Sequence, residues 1–169
     1  MEATTVRLYT FNYDEAKTYM WAAIFVVCNL VLPQVFHLIP QGGVIFSPLS
    51  LVILAGAYKF GWKTGLLAAL LSPLVNHTLT SMPAWDVLPV MTIKLGVLAL
   101  VAGLMAQRFK TVNLLLLIVV VLTSKAIEGL GELAITGGVT TTIADFAIGW
   151  PGLLMQIFGT WLILKYIHK

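Results

Sequence analysis

Charge is what this sequence has least of. Only 10% of its 169 residues are charged, ten Lys or Arg and seven Asp or Glu, while 59% are apolar. Soluble domains carry about 25% charged and about 45–50% apolar residues. So few polar groups cannot cover a water-facing surface, and a mean hydropathy of +0.95 agrees. A soluble enzyme, a disordered tail and a nucleic-acid module are thereby excluded as main readings, despite a sequence pI near 9.1. Cysteine is almost missing too. Cys28 stands alone inside an apolar run, so neither a disulfide framework nor a cysteine-based metal site can form, and it reads as a small buried hydrophobe. His37 and His77 lack the paired spacing a metal would want. Neither a Gly-x-x-x-x-Gly-Lys-Ser/Thr phosphate cradle nor a Gly-x-Ser-x-Gly elbow occurs, so the chain cannot power transport by itself and carries no serine-hydrolase signature.

What is present is a series of long apolar runs. A helix needs about 20 mostly apolar residues to cross the hydrocarbon core. Six segments are expected to do so, at about 18–39, 44–60, 64–79, 87–107, 113–135 and 143–167, after a cytoplasmic N-terminal segment, 1–17. The second and third are short and joined by a tight turn at Gly61-Trp62-Lys63, and Pro33 is expected to kink the far end of the first. Eight of the ten basic residues (Arg7, Lys17, Lys59, Lys63, Arg108, Lys110, Lys165 and Lys169) then fall on one side, the positive-inside pattern, which places both termini in the cytoplasm. The fold class expected is an all-α integral membrane protein of one domain, and the net charge of +3 reports orientation in the bilayer rather than an acidic partner. The first fourteen residues are too polar for a secretory signal and read as a short amphipathic segment, with Leu8, Tyr9, Phe11 and Tyr13 facing lipid. Small residues recur at four-residue spacing (Gly61/Gly65, Gly65/Ala69, Ala68/Ser72, Ala99/Gly103, Ala102/Ala106) and mark faces where helices approach closely.

Six charged residues remain once the inner loops and the N-terminal acids are set aside: Asp86, Lys94, Lys125, Glu128, Glu132 and Asp145. Asp86 and Asp145 fall at outer helix ends, and Lys94 lies about two turns into the fourth span. Lys125, Glu128 and Glu132 share one helix stripe. A charge at the bilayer centre costs at least about 2.5–3.5 kcal/mol, so these groups require partners or a water-filled cavity. In one reading they neutralise one another, Lys94 with Glu128 and Lys125 with Glu132. In the other they line a polar pocket open to the outer face. The outer half also collects His37, Asn76, His77, Trp85 and Trp150, groups able to hydrogen-bond and stack on a small polar, often heteroaromatic, solute.

Several stretches together resemble the substrate-binding subunits (S components) of energy-coupling factor (ECF) vitamin transporters, in the subfamily that includes pantothenate, hydroxymethylpyrimidine and cobalamin subunits. These are Gly43-Val44-Ile45-Phe46-Ser47-Pro48 followed by Ala55-Gly56, the run from Gly65 to Leu71-Ser72-Pro73-Leu74-Val75-Asn76, Met82-Pro83 with Leu88-Pro89, Met91, Lys94-Leu95 and Gly103-Leu104, and Trp150-Pro151-Gly152-Leu153-Leu154-Met155-Gln156. The likeness covers about four of the six spans, and the order and spacing carry it. Departures are plain. The family's Phe-x-Pro-Met-His-Ile-Pro run reads Phe46-Ser47-Pro48-Leu49-Ser50-Leu51-Val52, its Glu-Leu reads Lys94-Leu95, and Lys125, Glu128 and Glu132 stand where an Arg is common. The resemblance implies a multi-pass protein of a prokaryotic cell membrane, non-catalytic and without a cofactor. It would capture a vitamin-like solute and dock onto a transmembrane coupling protein with two cytoplasmic ATPases. It also implies that Lys94, replacing a carboxylate, faces an acceptor or anionic group of the solute. Two rivals stand beside it. One is a solitary small-solute carrier. The other is an intramembrane peptidase using Asp86 and Asp145, since 143–148 resembles the second aspartate motif of lipoprotein signal peptidases, although those have four spans.

Overall fold

The computed structural model describes residues 8–36, 38, 42–136 and 139–166, with the side chains of all of these except Val44, 132–136 and 139–148. The described chain is all-helical: α1 (Ala16–Phe36), α2 (Gly42–Phe46), α3 (Pro48–Phe60), α4 (Trp62–Thr80), α5 (Leu88–Phe109), α6 (Leu114–Thr136) and α7 (Val139–Tyr166). Three helical segments among the described residues are long and apolar enough to cross a membrane: Ala16–Phe36, Leu88–Phe109 and Leu114–Gly131.

The second expected span is broken. Ser47 adopts a left-handed conformation (φ 45°) and Pro48 opens α3. A proline lacks the N–H that would continue a helix and disfavours helical backbone at the residue before it, yet suits a first turn. What remains after the break is 13 residues, about 20 Å of helix, too short for about 30 Å of hydrocarbon. This short helix is instead the centre of the molecule. It packs against α1, α4, α5 and α7, and Ile53, Leu54, Ala57 and Tyr58 are fully buried. The turn after it is one residue long. Gly61, at φ 94°, ends α3 and begins α4, a backbone state only glycine adopts freely.

The small-residue pairs are all used inside the chain. A methyl group on Gly65 would sit 2.3 Å from the Ala57 Cβ, and one on Gly103 would sit 2.4 Å from the Trp62 backbone nitrogen. Ala68, Ala69, Ser72, Ala99, Ala102 and Ala106 are likewise buried. These faces bring α3, α4 and α5 into backbone contact, so they present nothing to a partner.

Outside the buried apolar core, the outward faces are apolar as well. On α1 the buried positions are Thr18, Ala22, Asn29 and Pro33, while Ile24, Val27, Val31 and Val35 are exposed. Cys28 lies on this exposed face, not in the core, because α1 is peripheral. Leu115, Leu122 and Leu130 on α6 and Leu154, Phe158 and Leu162 on α7 are exposed too, whereas Asn29, Ser72, Asn76, Gln156 and Thr160 are buried. Apolar side chains outside and amides inside is the distribution favoured where the solvent is hydrocarbon.

Residues 8–15 form a strap rather than an amphipathic helix. The Tyr9 N–H donates to the Lys59 carbonyl at 2.8 Å and the Phe11 N–H to the Phe60 carbonyl at 3.5 Å. Both carbonyls belong to the last turn of α3, where the helix itself offers them no donors. The rings of Tyr9 and Phe11 stack on Phe60, and Trp21 stacks on it at 4.1 Å between centroids. Leu8 packs against the buried cluster, and Lys63 donates to the Asn12 side chain at 2.7 Å. Leu8 and Phe11 are half-buried against the core and α3, while Tyr9 and Tyr13 remain exposed.

Candidate functional site

A cavity of about 740 Å³ opens at the end of the bundle opposite the α3–α4 turn. That volume is in the range of small-molecule sites, about 300–1,000 Å³. Its walls come from the far end of α1 (Pro33, Gln34), the α2–α3 break (Ser47 to Ser50), the end of α4 (Asn76, Thr80), the 82–84 loop, the start of α5 (Val87 to Leu95), α6 (Lys125, Glu128, Gly129) and α7 (Gly149, Leu153, Gln156). Each wall follows from a local feature of the sequence. The Pro48 break ends a rod that would otherwise fill the space. Gly129 and Gly149 put no side chain into it, and a methyl group added at Gly149 would meet nothing within 4 Å.

Pro33 builds the α1–α4 wall. Having no N–H, it leaves the carbonyl of Asn29, four residues earlier, without its helical donor. The Asn76 Nδ2 supplies one from α4, at 3.0 Å, and gives its second hydrogen to the Ser72 carbonyl at 2.9 Å. The Asn29 Nδ2 donates in turn to the Ser72 hydroxyl at 2.9 Å. Because both partners of the Asn76 nitrogen are carbonyls, its own side-chain oxygen is left to act as an acceptor.

On α6, the Lys125 ammonium pairs with the Glu128 carboxylate at 2.6 Å, one helical turn on, and the carboxylate side chain is only 5% exposed. The pairing expected from sequence joined Lys125 to Glu132. The i,i+3 spacing serves Glu128 equally well, and the side chain of Glu132 lies outside the described residues. Lys94, half-buried on α5, lines the same cavity.

Four of the ten residues singled out from sequence are thus gathered on one cavity: Asn76, Lys94, Lys125 and Glu128. His77, Trp85 and Trp150 are not among its lining residues. His77 Nδ1 donates to the Pro83 carbonyl at 2.8 Å, and its ring lies 5.1 Å from that of Trp85. The two fasten the loop that forms the rim. Trp85 and Trp150 are 71% and 59% exposed, and the lining residues described include no aromatic ring. An aromatic-walled pocket is therefore replaced, among the described residues, by an aliphatic one of Pro33, Leu49, Met91, Leu95 and Leu153. His37 and the side chains of Glu132 and Asp145 lie outside the described residues. Asp86 is exposed in the turn before α5.

Sequence reasoning passed over Gln156 as a site residue. It lines the cavity, is 1% exposed, and its Oε1 has no hydrogen-bond partner. The signal was there: an amide in the middle of an otherwise apolar stretch of α7 needs a reason. Gln34, Ser47, Ser50 and Thr80 line the cavity as well, without having stood out from the sequence.

The described lining presents two ammoniums, one carboxylate and three amides set in largely aliphatic walls. No protein-family model, curated protein or solved structure matches the chain.

Proposed function

We propose that the protein is a membrane subunit that captures a small polar solute from the outer face of a prokaryotic cell membrane, as an S component of an ECF-type importer. In this reading α1 and α3 to α7 form six membrane-embedded helices with both termini in the cytoplasm. The single observation that carries it is the large cavity lined by Lys94, Lys125, Glu128, Asn76 and Gln156 inside a bundle whose outside is apolar. Polar groups within a membrane span are costly and mark solute pathways.

Orientation supports it. Lys59 and Lys63 flank the α3–α4 turn, and Arg108 and Lys110 end α5, so the bases gather at the end away from the cavity. The positive-inside rule puts that end in the cytoplasm and the cavity outside. A coupling protein and two ATPases would supply the energy, docking on a surface other than the small-residue faces, which are buried within the chain.

Affinity purification of the tagged chain from its native membrane tests the assignment. The expected result is co-purification of a transmembrane protein and two ATPases, with solute binding but no concentrative uptake by the isolated chain in liposomes. Concentrative uptake by the chain alone would replace this reading with a solitary carrier.

A further inference from the structure

A second pocket, of about 570 Å³, lies at the end of the bundle away from the solute cavity, between the strap and the end of α5. We infer that it binds a phosphate group whose charge no attached ammonium offsets, and that Lys110 and Gln107 hold it. This assignment does not depend on what the larger cavity takes.

Three observations carry it. The first is the lining. Lys110 bears the only charge among the described lining residues, and Thr10 and Gln107 add a hydroxyl and an amide. Among the described residues Lys110 forms no ion pair and the Gln107 amide makes no hydrogen bond. The Gln107 Nε2 lies 3.8 Å from the point a methyl group on Gly61 would occupy, which sets the amide between α5 and the α3–α4 turn, where both line the pocket. An ammonium and a primary amide offer N–H donors to the oxygens of a phosphate, and such charge-assisted bonds are the strong ones.

The second is strain. Lys110 caps α5 at φ 53° and ψ 19°, a left-handed conformation that glycine adopts freely and a lysine does not. A side chain held in such a state at the edge of a pocket points to a use for that side chain.

The third concerns the helix ends. Both α3 and α5 finish here, and free carbonyls at a helix C-terminus repel an anion. Three of these carbonyls are engaged: Ala57 by the Gly61 N–H at 3.0 Å, Lys59 by the Tyr9 N–H at 2.8 Å and Ala106 by the Lys110 N–H at 2.9 Å. In the proposed orientation this end meets the cytoplasmic headgroups, where a basic pocket between helices suits an anionic lipid. A soluble phosphate monoester shares the chemistry.

The test uses the full chain in lipid nanodiscs. Native mass spectrometry of the chain released from discs of equal phosphatidylcholine and phosphatidylglycerol reads the lipid retained. Melting in phosphatidylcholine discs with and without glycerol 1-phosphate reads the soluble source. The expected result is at least fivefold retention of phosphatidylglycerol over phosphatidylcholine, abolished by Lys110→Gly and halved or worse by Gln107→Leu. Arg108→Gln removes an exposed base that does not line the pocket, and should leave the preference unchanged. In phosphatidylcholine discs Lys110→Gly should melt no lower than the wild type, because glycine suits the left-handed cap. A rise in melting temperature with glycerol 1-phosphate, absent in Lys110→Gly and without any lipid preference, would support the site and make its ligand the soluble ester. A preference that survives Lys110→Gly, an equal loss in Arg108→Gln, or no response to either probe would overturn the site. A lowered melting temperature of Lys110→Gly in phosphatidylcholine discs would overturn the role of Lys110, leaving it a cap of α5.

Discussion

The two ends of the bundle are built on opposite principles. At the α3–α4 end helices and strap are drawn together, leaving a smaller pocket between the strap and the end of α5. Gly65 and Gly103 bring backbones to contact, Phe60 sits beneath Tyr9, Phe11 and Trp21, and the strap caps the last carbonyls of α3. At the other end Pro48 truncates the central helix, Gly149 stands beside empty space, and an amide oxygen is buried without a partner. Packing supplies stability at the first end, and the second forgoes it for space. A substitution that adds or removes volume should therefore have opposite consequences at the two ends.

The largest effect is expected at the closed end. Phe60 is 6% exposed and joins the strap, α1 and α3. Phe60→Ala should cost about 3–5 kcal/mol, the usual loss for a buried aromatic ring, seen as a lower unfolding midpoint in detergent. A loss below about 1 kcal/mol would show that the aromatic stack does not seal this end.

Glycines give the next contrast. The contact at Gly103 is with the Trp62 backbone, which cannot swing aside as a side chain can, so Gly103→Ala should destabilise by about 1–3 kcal/mol. Gly149, inside α7 with nothing within 4 Å of an added methyl, should tolerate Gly149→Ala and gain up to about 1 kcal/mol from helix propensity. Equal melting shifts for the two variants would erase the distinction between the ends.

Smaller again is the clamp on the cavity wall. Asn76→Ala removes the donor to the Asn29 carbonyl and should cost about 0.6–1.7 kcal/mol, the span found for polar contacts between membrane helices. In a Pro33→Ala background the restored N–H at position 33 supplies that carbonyl internally. The same Asn76→Ala change should then cost less than half as much. A double-mutant cycle with no coupling would show that the proline and the asparagine are unrelated.

How much of this was legible in the sequence depends on the kind of signal. Helix positions were, because long apolar runs and their punctuation are local: α4 (Trp62–Thr80) and α6 (Leu114–Thr136) lie where 64–79 and 113–135 were expected. That Asn76, Lys94, Lys125 and Glu128 share a cavity was legible too, since polar groups in apolar helices have only the interior to face. The break at Pro48 was not, because a proline inside a run can kink a helix or begin a new one, and the Ser47 backbone decides which. Small-residue spacing marks close approach but not the identity of the neighbour, so that these faces join α3, α4 and α5 to one another had to come from the fold. Gln156 stood in the sequence only as part of the 150–156 stretch, an amide in an apolar run with no polar neighbour to mark it. Trp85 and Trp150 misled for a physical reason: an indole suits a ligand pocket and a headgroup boundary alike.

That ambiguity yields the smallest expected effect and a sharp one. If the tryptophans belong to the membrane boundary, removing the rings should leave the cavity as it is. Trp150→Leu should change solute affinity less than twofold and stability by no more than about 0.5 kcal/mol, as for other exposed positions. Trp85→Leu should do the same for affinity, with a slightly larger stability loss, because its ring rests against His77, which fastens the rim through the Pro83 carbonyl. Fluorescence separates the cases further. The emission of Trp150 should respond to brominated lipids placed at headgroup depth and not to solute. Quenching of Trp150 by solute, with a tenfold affinity loss in Trp150→Leu, would return the aromatic ring to the cavity wall. It would also make the open end of the bundle narrower than its aliphatic lining implies.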